Sequence, residues 1–253
     1  MFFPQLMNIG KNDLVLEIGP GAYPFWRSDC LADKYDQTSD VDLSQFGGDL
    51  LKTKGKPLFK IENNELPFKD NSFDYIICSH VFEHVPINNL PLFTREIMRV
   101  AKKAYIEFPR PIYDYFYNFD VHLNFLDIVN GEIICIDKDK TGIDKLKPFQ
   151  KYGLELRESN ALVLEEFVPS LIAVGYVFQN VIPLRILDSV EEFIELVRLN
   201  SINLKPPSLL WKIKNKIDLV RINKMIKGEL NPVFFQNILK NKNDNNKGTK
   251  LRC

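Results

Sequence analysis

The sequence has little cysteine: Cys30, Cys78, Cys135 and Cys253 are the four thiols in 253 residues. No two stand close enough for a zinc or redox motif, so they read as free thiols of a reducing compartment. Net charge is absent as well. Thirty-three bases balance thirty-three acids, which removes any global attraction to nucleic acid. Long apolar runs are missing too. The longest, residues 171–178, is far short of the about 20 residues that span a bilayer. The opening MFFPQLM has neither the basic segment nor the apolar stretch of a secretion signal. These absences lead us to expect a soluble, cytoplasmic protein. No internal repeat is visible.

What is present is an ordinary globular composition, 45% hydrophobic and 26% charged, with nineteen Phe and nine Tyr for a core. The charge is unevenly placed. From Ser201 onward there are twelve Lys or Arg against three acids, Asp218, Glu229 and Asp244; the first two hundred residues hold twenty-one bases and thirty acids. The expected organisation is a catalytic domain over 1–200, a basic helical extension over 201–240 and a disordered tail over 241–253. In the extension Leu209, Leu210, Trp211, Ile213, Ile217, Val220 and Met225 interleave with lysines as an amphipathic basic helix. Such a helix can dock on the acidic body, lie on an anionic membrane surface or contact RNA.

Five short apolar runs, 14–18, 30–33, 58–61, 75–78 and 104–108, are each bounded by turn residues. Near-continuous apolar runs of this kind suit strands buried on both faces of a parallel sheet. Between the last two lies a helical pattern. Asn88 or Asn89 is its expected cap, Pro91 sits in its first turn, and Phe93, Ile97, Val100 and Ala101 form its apolar face. Strands alternating with helices predict an α/β fold with a doubly wound, mostly parallel sheet. Further on, Asn130-Gly131 between runs 122–127 and 132–137 predicts an inserted β-hairpin. A helix is predicted over 141–152, ended by Gly153, then a strand over 171–179. A capping box at Ser189 and Glu192 starts a helix with apolar Val190, Phe193, Ile194 and Val197.

The segment VLEIGPGAYPF, residues 15–25, carries chemistry. A strand runs into Gly19 and Gly21, which permit a tight turn and a close approach of backbone to ligand. A plain strand-to-loop turn is the competing reading. The nicotinamide fingerprint needs a third glycine where Pro24 stands, and the P-loop Gly-Lys-Ser/Thr is missing, so a cofactor without phosphates fits better. Asp33, ending the second strand, is placed to accept ribose hydroxyls, with Asp36 as fallback. Either is equally readable as a solvated turn carboxylate. A second dense motif is LPFKDNSFDYIICSHVFEHV, residues 66–85. Its strand ends at Ser79 on the same sheet edge as the glycine loop, so the two motifs converge.

Together these motifs resemble the class I S-adenosylmethionine-dependent methyltransferases, and within them the type 11 methyltransferase domain. The resemblance covers roughly residues 12–111. It implies a Rossmann-like, seven-stranded-type sheet and S-adenosylmethionine as cofactor. It places Glu17, Gly19 and Gly21 around the methionine part, Asp33 at the ribose, Glu62 and Asn63 near the adenine, and Ser79 and His80 along the methionine moiety. His84 matches a histidine near the methyl group. Two departures stand out: Tyr23 replaces the usual third glycine, and the gap from Gly19 to Asp33 leaves room only for a short or irregular first helix. Methyl transfer from a sulfonium is an in-line displacement that needs alignment, and a base only where the acceptor must lose a proton.

Candidate catalytic residues are His84 and His122, with Glu83 and Asp120 behind them. His122 also reads as a structural histidine at a hairpin start. The aromatic residues Tyr113, Tyr115, Phe116, Tyr117 and Phe119 either wall an acceptor site or pack in the core. No metal-ligand spacing is visible, and no metal is expected. The expected acceptor is a small molecule, a glycan or a lipid intermediate, with peripheral membrane contact through the basic helix. The alternatives are a non-catalytic cofactor-binding module and an RNA or protein methyltransferase. Ser79-His80-Val81-Phe82 stands where an Asn-Pro-Pro-Tyr-type motif would mark amino-group methylation of bases, so nucleic acid is disfavoured.

Overall fold

The computed structural model describes residues 3–35, 51–158 and 169–202. They fall within the unit Met1–Leu204. Asp36, the basic extension beyond residue 202, the tail and Cys253 lie outside the described residues.

Six strands form the main sheet: β1 (Val15–Ile18), β2 (Cys30–Asp33), β3 (Leu58–Lys60), β4 (Tyr75–Ser79), β5 (Lys103–Pro109) and β8 (Ala173–Gln179). Their order is β3-β2-β1-β4-β5-β8. All pairings are parallel except β5 with β8. The order reverses between β1 and β4, and open α/β sheets bind ligands at such a switch point. The apolar runs behave as strands because both sheet faces are covered. On one face Leu16, Ile18, Ile76, Cys78, Ala104, Ile106 and Phe108 pack with Phe93 and Ile97 of α1 (Leu90–Val100). On the other, Val15, Tyr75, Ile77 and Tyr105 pack with Phe3, Met7, Ile9 and Phe25.

The predicted hairpin is present, but it does not extend the main sheet. β6 (Asn124–Val129) and β7 (Glu132–Asp137) join β9 (Leu184–Leu187) in a separate three-stranded sheet, order β6-β7-β9. Val129 pairs with Glu132 around Asn130 and Gly131, whose φ angles of 52° and 80° give the two left-handed positions of a tight hairpin turn. The main sheet thus has six strands among the described residues rather than seven. The small sheet is a packed layer in its own right. Leu126, Ile128, Ile133 and Cys135 join the core under the main sheet. Phe125, Ile134, Ile136 and Leu187 face Phe193 of α4 (Val190–Ile202).

Several local expectations shift. Asn89 precedes α1 but makes no side-chain cap, because a 3-10 turn at Ile87–Asn89 already carries the chain in helical geometry. At Ser189 the backbone N–H of Glu192 donates to the hydroxyl as a cap requires, yet the carboxylate that meets that hydroxyl is Glu191. Ile194 is exposed, and Leu196 packs in its place. The strand expected from His122 begins at Asn124, leaving His122 in the loop before it.

Gly153 does not end a helix. It lies inside α3 (Lys147–Glu158), which runs on past it after two 3-10 turns at Lys138–Thr141 and Ile143–Leu146. The cause is a close helix crossing. A Cβ at Gly153 would stand 2.7 Å from the carbonyl oxygen of Phe116, in α2 (Pro111–Tyr117). Alanine in a helix interior ordinarily stabilises relative to glycine by roughly 0.5–1 kcal/mol. Here the sign should reverse: Gly153→Ala is expected to lower stability by about 1–3 kcal/mol through overpacking. A urea melt showing a more stable variant would refute this contact.

Candidate functional site

The carboxyl ends of β1, β2 and β4 open onto a cavity of about 670 Å³. Glu17, Gly19, Gly21, Asp33, Ser79, His80 and His84 all line it, so seven of the residues singled out in the sequence converge there. The glycine loop is shaped for close approach. Gly19 and Gly21 have φ angles of 64° and 59°, in the left-handed region. A Cβ on Gly19 would sit 2.3 Å from Cγ2 of Val81, itself a cavity residue, whereas a Cβ on Gly21 would meet nothing within 4 Å.

No helix forms between β1 and β2. A buried polar frame holds the loop instead. The Glu17 carboxylate accepts the Phe25 N–H at 2.8 Å and the Ser28 hydroxyl at 2.7 Å. Lys56 Nζ donates to Ser28 Oγ and to the Phe25 carbonyl. Asp29 accepts from the Val15 N–H, and Arg27 donates to the carbonyl of Asp13. Burial pushes the Glu17 carboxyl above its usual range, and the Ser28 and Phe25 hydrogen bonds limit the rise. Tyr23, where a third glycine was expected, lies over the cavity with Lys52 Nζ 4.6 Å from its ring centre.

Asp33 ends β2 with a buried carboxyl whose Oδ1 accepts the Tyr35 N–H at 3.1 Å. Burial raises its pKa. Glu62 and Asn63, the residues expected near an adenine, do not line the cavity. They stand on an exposed turn, and Ile61 and Asn64 line the cavity instead. Asn63 and Asn64 are both left-handed, so the chain doubles back here and presents Asn64 inward. Asp120 is also outside; its side chain is exposed and pairs with Lys147.

At the end of β4 the chain turns sharply through His80, whose φ is 58°. The turn is held by Glu107 of β5. Its carboxylate accepts from Ser79 Oγ at 2.8 Å, from the Tyr105 hydroxyl at 2.5 Å and from the Phe3 N–H at 3.1 Å, and lies 3.3 Å from His80 Nε2. Burial works against charge on His80, but the Glu107 and Glu83 carboxylates, each 3.3 Å from a ring nitrogen, prevail and raise its pKa to about 9. Burial likewise opposes ionisation of Glu107, yet His80 brings it down to about 2.

Beyond His80, the 3-10 turn Phe82–His84 faces the loop before β6. His84 Nδ1 lies 2.8 Å from the Val121 carbonyl, and His122 Nδ1 lies 2.8 Å from Asp114 Oδ2. The two imidazoles meet edge to face at 5.0 Å. Burial lowers the pKa of His84. Of the aromatic cluster, Tyr113 reaches the cavity, Tyr117 is buried with Phe119 packed against it, and Tyr115 and Phe116 are exposed. Two buried acids that hold this site escaped the sequence reading, Glu107 and Asp114. Each is an acid within an otherwise apolar or aromatic stretch, AYIEF and YDYFYNF, and that signal was available.

Residues 16–104 match the family model of a methyltransferase domain. No curated protein matches the sequence. Among solved structures, the PH0226 protein from Pyrococcus horikoshii is 16% identical, over 70% of this chain and 87% of that one, with a TM-score of 0.41. An S-adenosylmethionine-dependent methyltransferase from Mesorhizobium loti is 16% identical over 49% and 56%, TM-score 0.30. One from Thermotoga maritima is 17% identical over 40% and 47%, TM-score 0.31. The chain therefore spans about half the length of the latter two. No helix among the described residues is long and apolar enough to cross a membrane.

The His80–Glu107 pair makes a checkable statement about pH. His80 has a raised pKa, so its contribution to stability is complete below its ordinary value and is lost as pH rises through about 9. Glu107 has a depressed pKa, so its contribution is complete above the ordinary carboxylate value and fades as pH falls toward about 2. In Glu107→Gln the His80 imidazole is expected to titrate well below its wild-type midpoint by NMR. An unmoved midpoint would dissociate the two groups.

Proposed function

We infer, from the match of residues 16–104 to a methyltransferase domain, that this protein is a class I S-adenosylmethionine-dependent methyltransferase acting on an acceptor held beside His84. The observation that carries the reading is the convergence of the glycine loop, Asp33 and Ser79 on one cavity at the switch point of the sheet. The lining suits a nucleoside without phosphates. Glycine backbone permits close contact, Asp33 supplies a hydrogen-bond acceptor for ribose hydroxyls, and Ile61 and Asn64 offer an apolar wall and an amide on the adenine side. When bound, the cofactor supplies a methyl group on a sulfonium. Glu17 acts from behind, holding the loop through Phe25 and Ser28. Ser79 and His80 present backbone to the ligand because Glu107 fixes their turn.

His84, Tyr113 and Arg157 form another part of the wall, and we read that part as the acceptor side. His84 Nδ1 faces a carbonyl, which only accepts, so Nδ1 carries the proton and Nε2 keeps its lone pair in the neutral ring. Asp114 fixes His122 in the same tautomer. With its Nε2 unligated, His84, the member of the pair that lines the cavity, can take a proton from an acceptor hydroxyl or amine. The acceptor we favour is a small molecule, a glycan or a lipid intermediate, in the cytoplasm. The basic segment 201–240, rich in lysine interleaved with apolar residues, then serves targeting to an anionic surface.

Calorimetry on the full chain is expected to show saturable binding of S-adenosylmethionine and its demethylated product, and none of NAD. Labelled methyl should then pass to a fraction of host metabolites, glycans or lipids. Tight NAD binding with no response to either sulfur nucleoside would overturn the reading. Gly19→Val is expected to abolish cofactor binding with the fold retained by circular dichroism. The left-handed strain alone costs about 1–3 kcal/mol, and the branched side chain collides with Val81. Normal affinity in this variant would put the cofactor elsewhere.

A further inference from the structure

The whole chain has three histidines, and all three stand at this end of the sheet. His80 is committed to its two carboxylates. The other two are arranged differently: a carbonyl holds one and a carboxylate holds the other, each through Nδ1. That second-layer pattern, which fixes the tautomer and leaves Nε2 as a donor, recurs around metal-ligating histidines. Beside them is Glu83, whose side chain is 1% exposed. Neither of its carboxylate oxygens accepts a hydrogen bond. His80 Nδ1 lies 3.3 Å from Oε1 as an ion pair, without the alignment of a hydrogen bond. His80 thus supplies one cation beside Oε1, but a buried carboxylate that accepts no hydrogen bond at either oxygen remains costly unless a further cation or donor completes it. One donor atom from each of Glu83, His84 and His122 lies within 4.8 Å of the others.

We propose that His84 Nε2, His122 Nε2 and the Glu83 carboxylate bind a divalent transition-metal ion of the zinc, cobalt or iron class. Two imidazoles and a carboxylate without thiols suit that class. Metal–ligand bonds of about 2.0–2.2 Å require the donors to close inward by small side-chain rotations. The frame for this is already rigid. The Leu123 N–H donates to the Glu83 carbonyl at 2.7 Å, and the Asn124 amide donates to the carbonyls of Phe82 and Val85. These bonds staple the turn carrying Glu83 and His84 to the loop carrying His122. Lys138 Nζ donates to the Phe119 carbonyl and lies 3.6 Å from Asp114, holding the carboxylate that orients His122. Three protein donors leave a four-coordinate ion one further position. Since His84 also lines the cavity, that position is available to water or to an acceptor heteroatom there. The inference rests on the donor geometry and stands whether or not the cofactor reading does.

The test is metal titration of the full chain after chelator treatment and dialysis. Cobalt(II) is expected to bind at one equivalent, with visible absorption bands of a low-symmetry nitrogen–oxygen site, and zinc(II) is expected to displace it. Zinc should also raise the melting temperature. His122→Ala and the near-isosteric Glu83→Gln should each weaken binding by about 100-fold or more, and Asp114→Asn, which touches no metal, by about 10–100-fold. Circular dichroism of each variant separates lost ligation from lost fold, and Glu83→Gln keeps the test available should the alanine variant unfold. No stoichiometric binding of either ion would overturn the proposal. So would binding indifferent to His122→Ala, such as binding through the thiol of Cys253. Calorimetry with S-adenosylmethionine on the same metal-free protein reports separately on the cofactor reading.

Discussion

The site is built around the demands of one buried carboxylate. Glu107 is fully buried in β5. Removing such a charge from water costs several kcal/mol unless partners replace the lost hydration. Four groups answer: the Ser79 hydroxyl, the His80 ring, the Tyr105 hydroxyl and the Phe3 N–H. Each answer fixes geometry. Ser79 and His80 are drawn to the end of β4, and the His80 N–H also donates to the Glu107 carbonyl. The chain leaves the sheet through a left-handed residue and turns under the cavity. Phe3 brings the amino-terminal segment across the opposite face, where it covers Tyr75 and Tyr105. An apolar residue at 107 would remove the cost, and with it the reason for the chain to turn there.

The same economy governs the glycine loop. A helix between β1 and β2 would have satisfied its own backbone. This chain has eleven residues between the two strands and forms none. Glu17 and Lys56 bond the Phe25 backbone from their side chains, and Asp29 and Arg27 tie the loop to Val15 and Asp13. Glu17 therefore contributes to the site chiefly by position. Its oxygens are occupied by Phe25 and Ser28, and its distance from any ligand is set by the loop it holds.

How far the sequence discloses this depends on whether a feature is local. The strands were legible because burial on both faces writes an unbroken apolar run. Cys30–Asp33 and Glu132–Asp137 fall where the pattern puts them. The hairpin was legible because Asn130-Gly131 is a local steric preference. β9 was not: LRIL follows Pro183, and its partner β7 lies some fifty residues earlier. Gly153 carried a stop signal in the local code, but the contact that selects glycine there comes from Phe116 on another helix. Gly19, Asp33 and Ser79 reach the cavity as expected because each closes a strand. Glu62 and Asn63 miss it by a residue or two, since two successive left-handed asparagines redirect a short turn. The Asp114–His122 contact could not be read at all. It spans eight residues through a left-handed Asn118, and nothing in the spacing reports that reversal.

The division between what is shared and what is this chain's own runs through the site itself. The matched segment ends at residue 104, so it supplies the glycine loop, Asp33, the β4 turn, Glu83 and His84, and stops short of Glu107, Asp114 and His122. The described residues beyond it, within 105–158 and 169–202, are not a loose appendage. The three-stranded sheet packs one face into the main core and the other against α4, and its first strand is pinned to the Phe82–His84 turn. A sheet anchored on both faces can hold His122 against His84 with little freedom, as a loop alone could not. Asp114, on the helix after β5, then orients His122 from a third element. The side of the cavity bearing Gly19, Asp33 and Ser79 is thus set by the ends of parallel strands, which the fold provides in any case. The side bearing His84 is set by a second layer, the three-stranded sheet and the loop before it, that the matched segment does not contain.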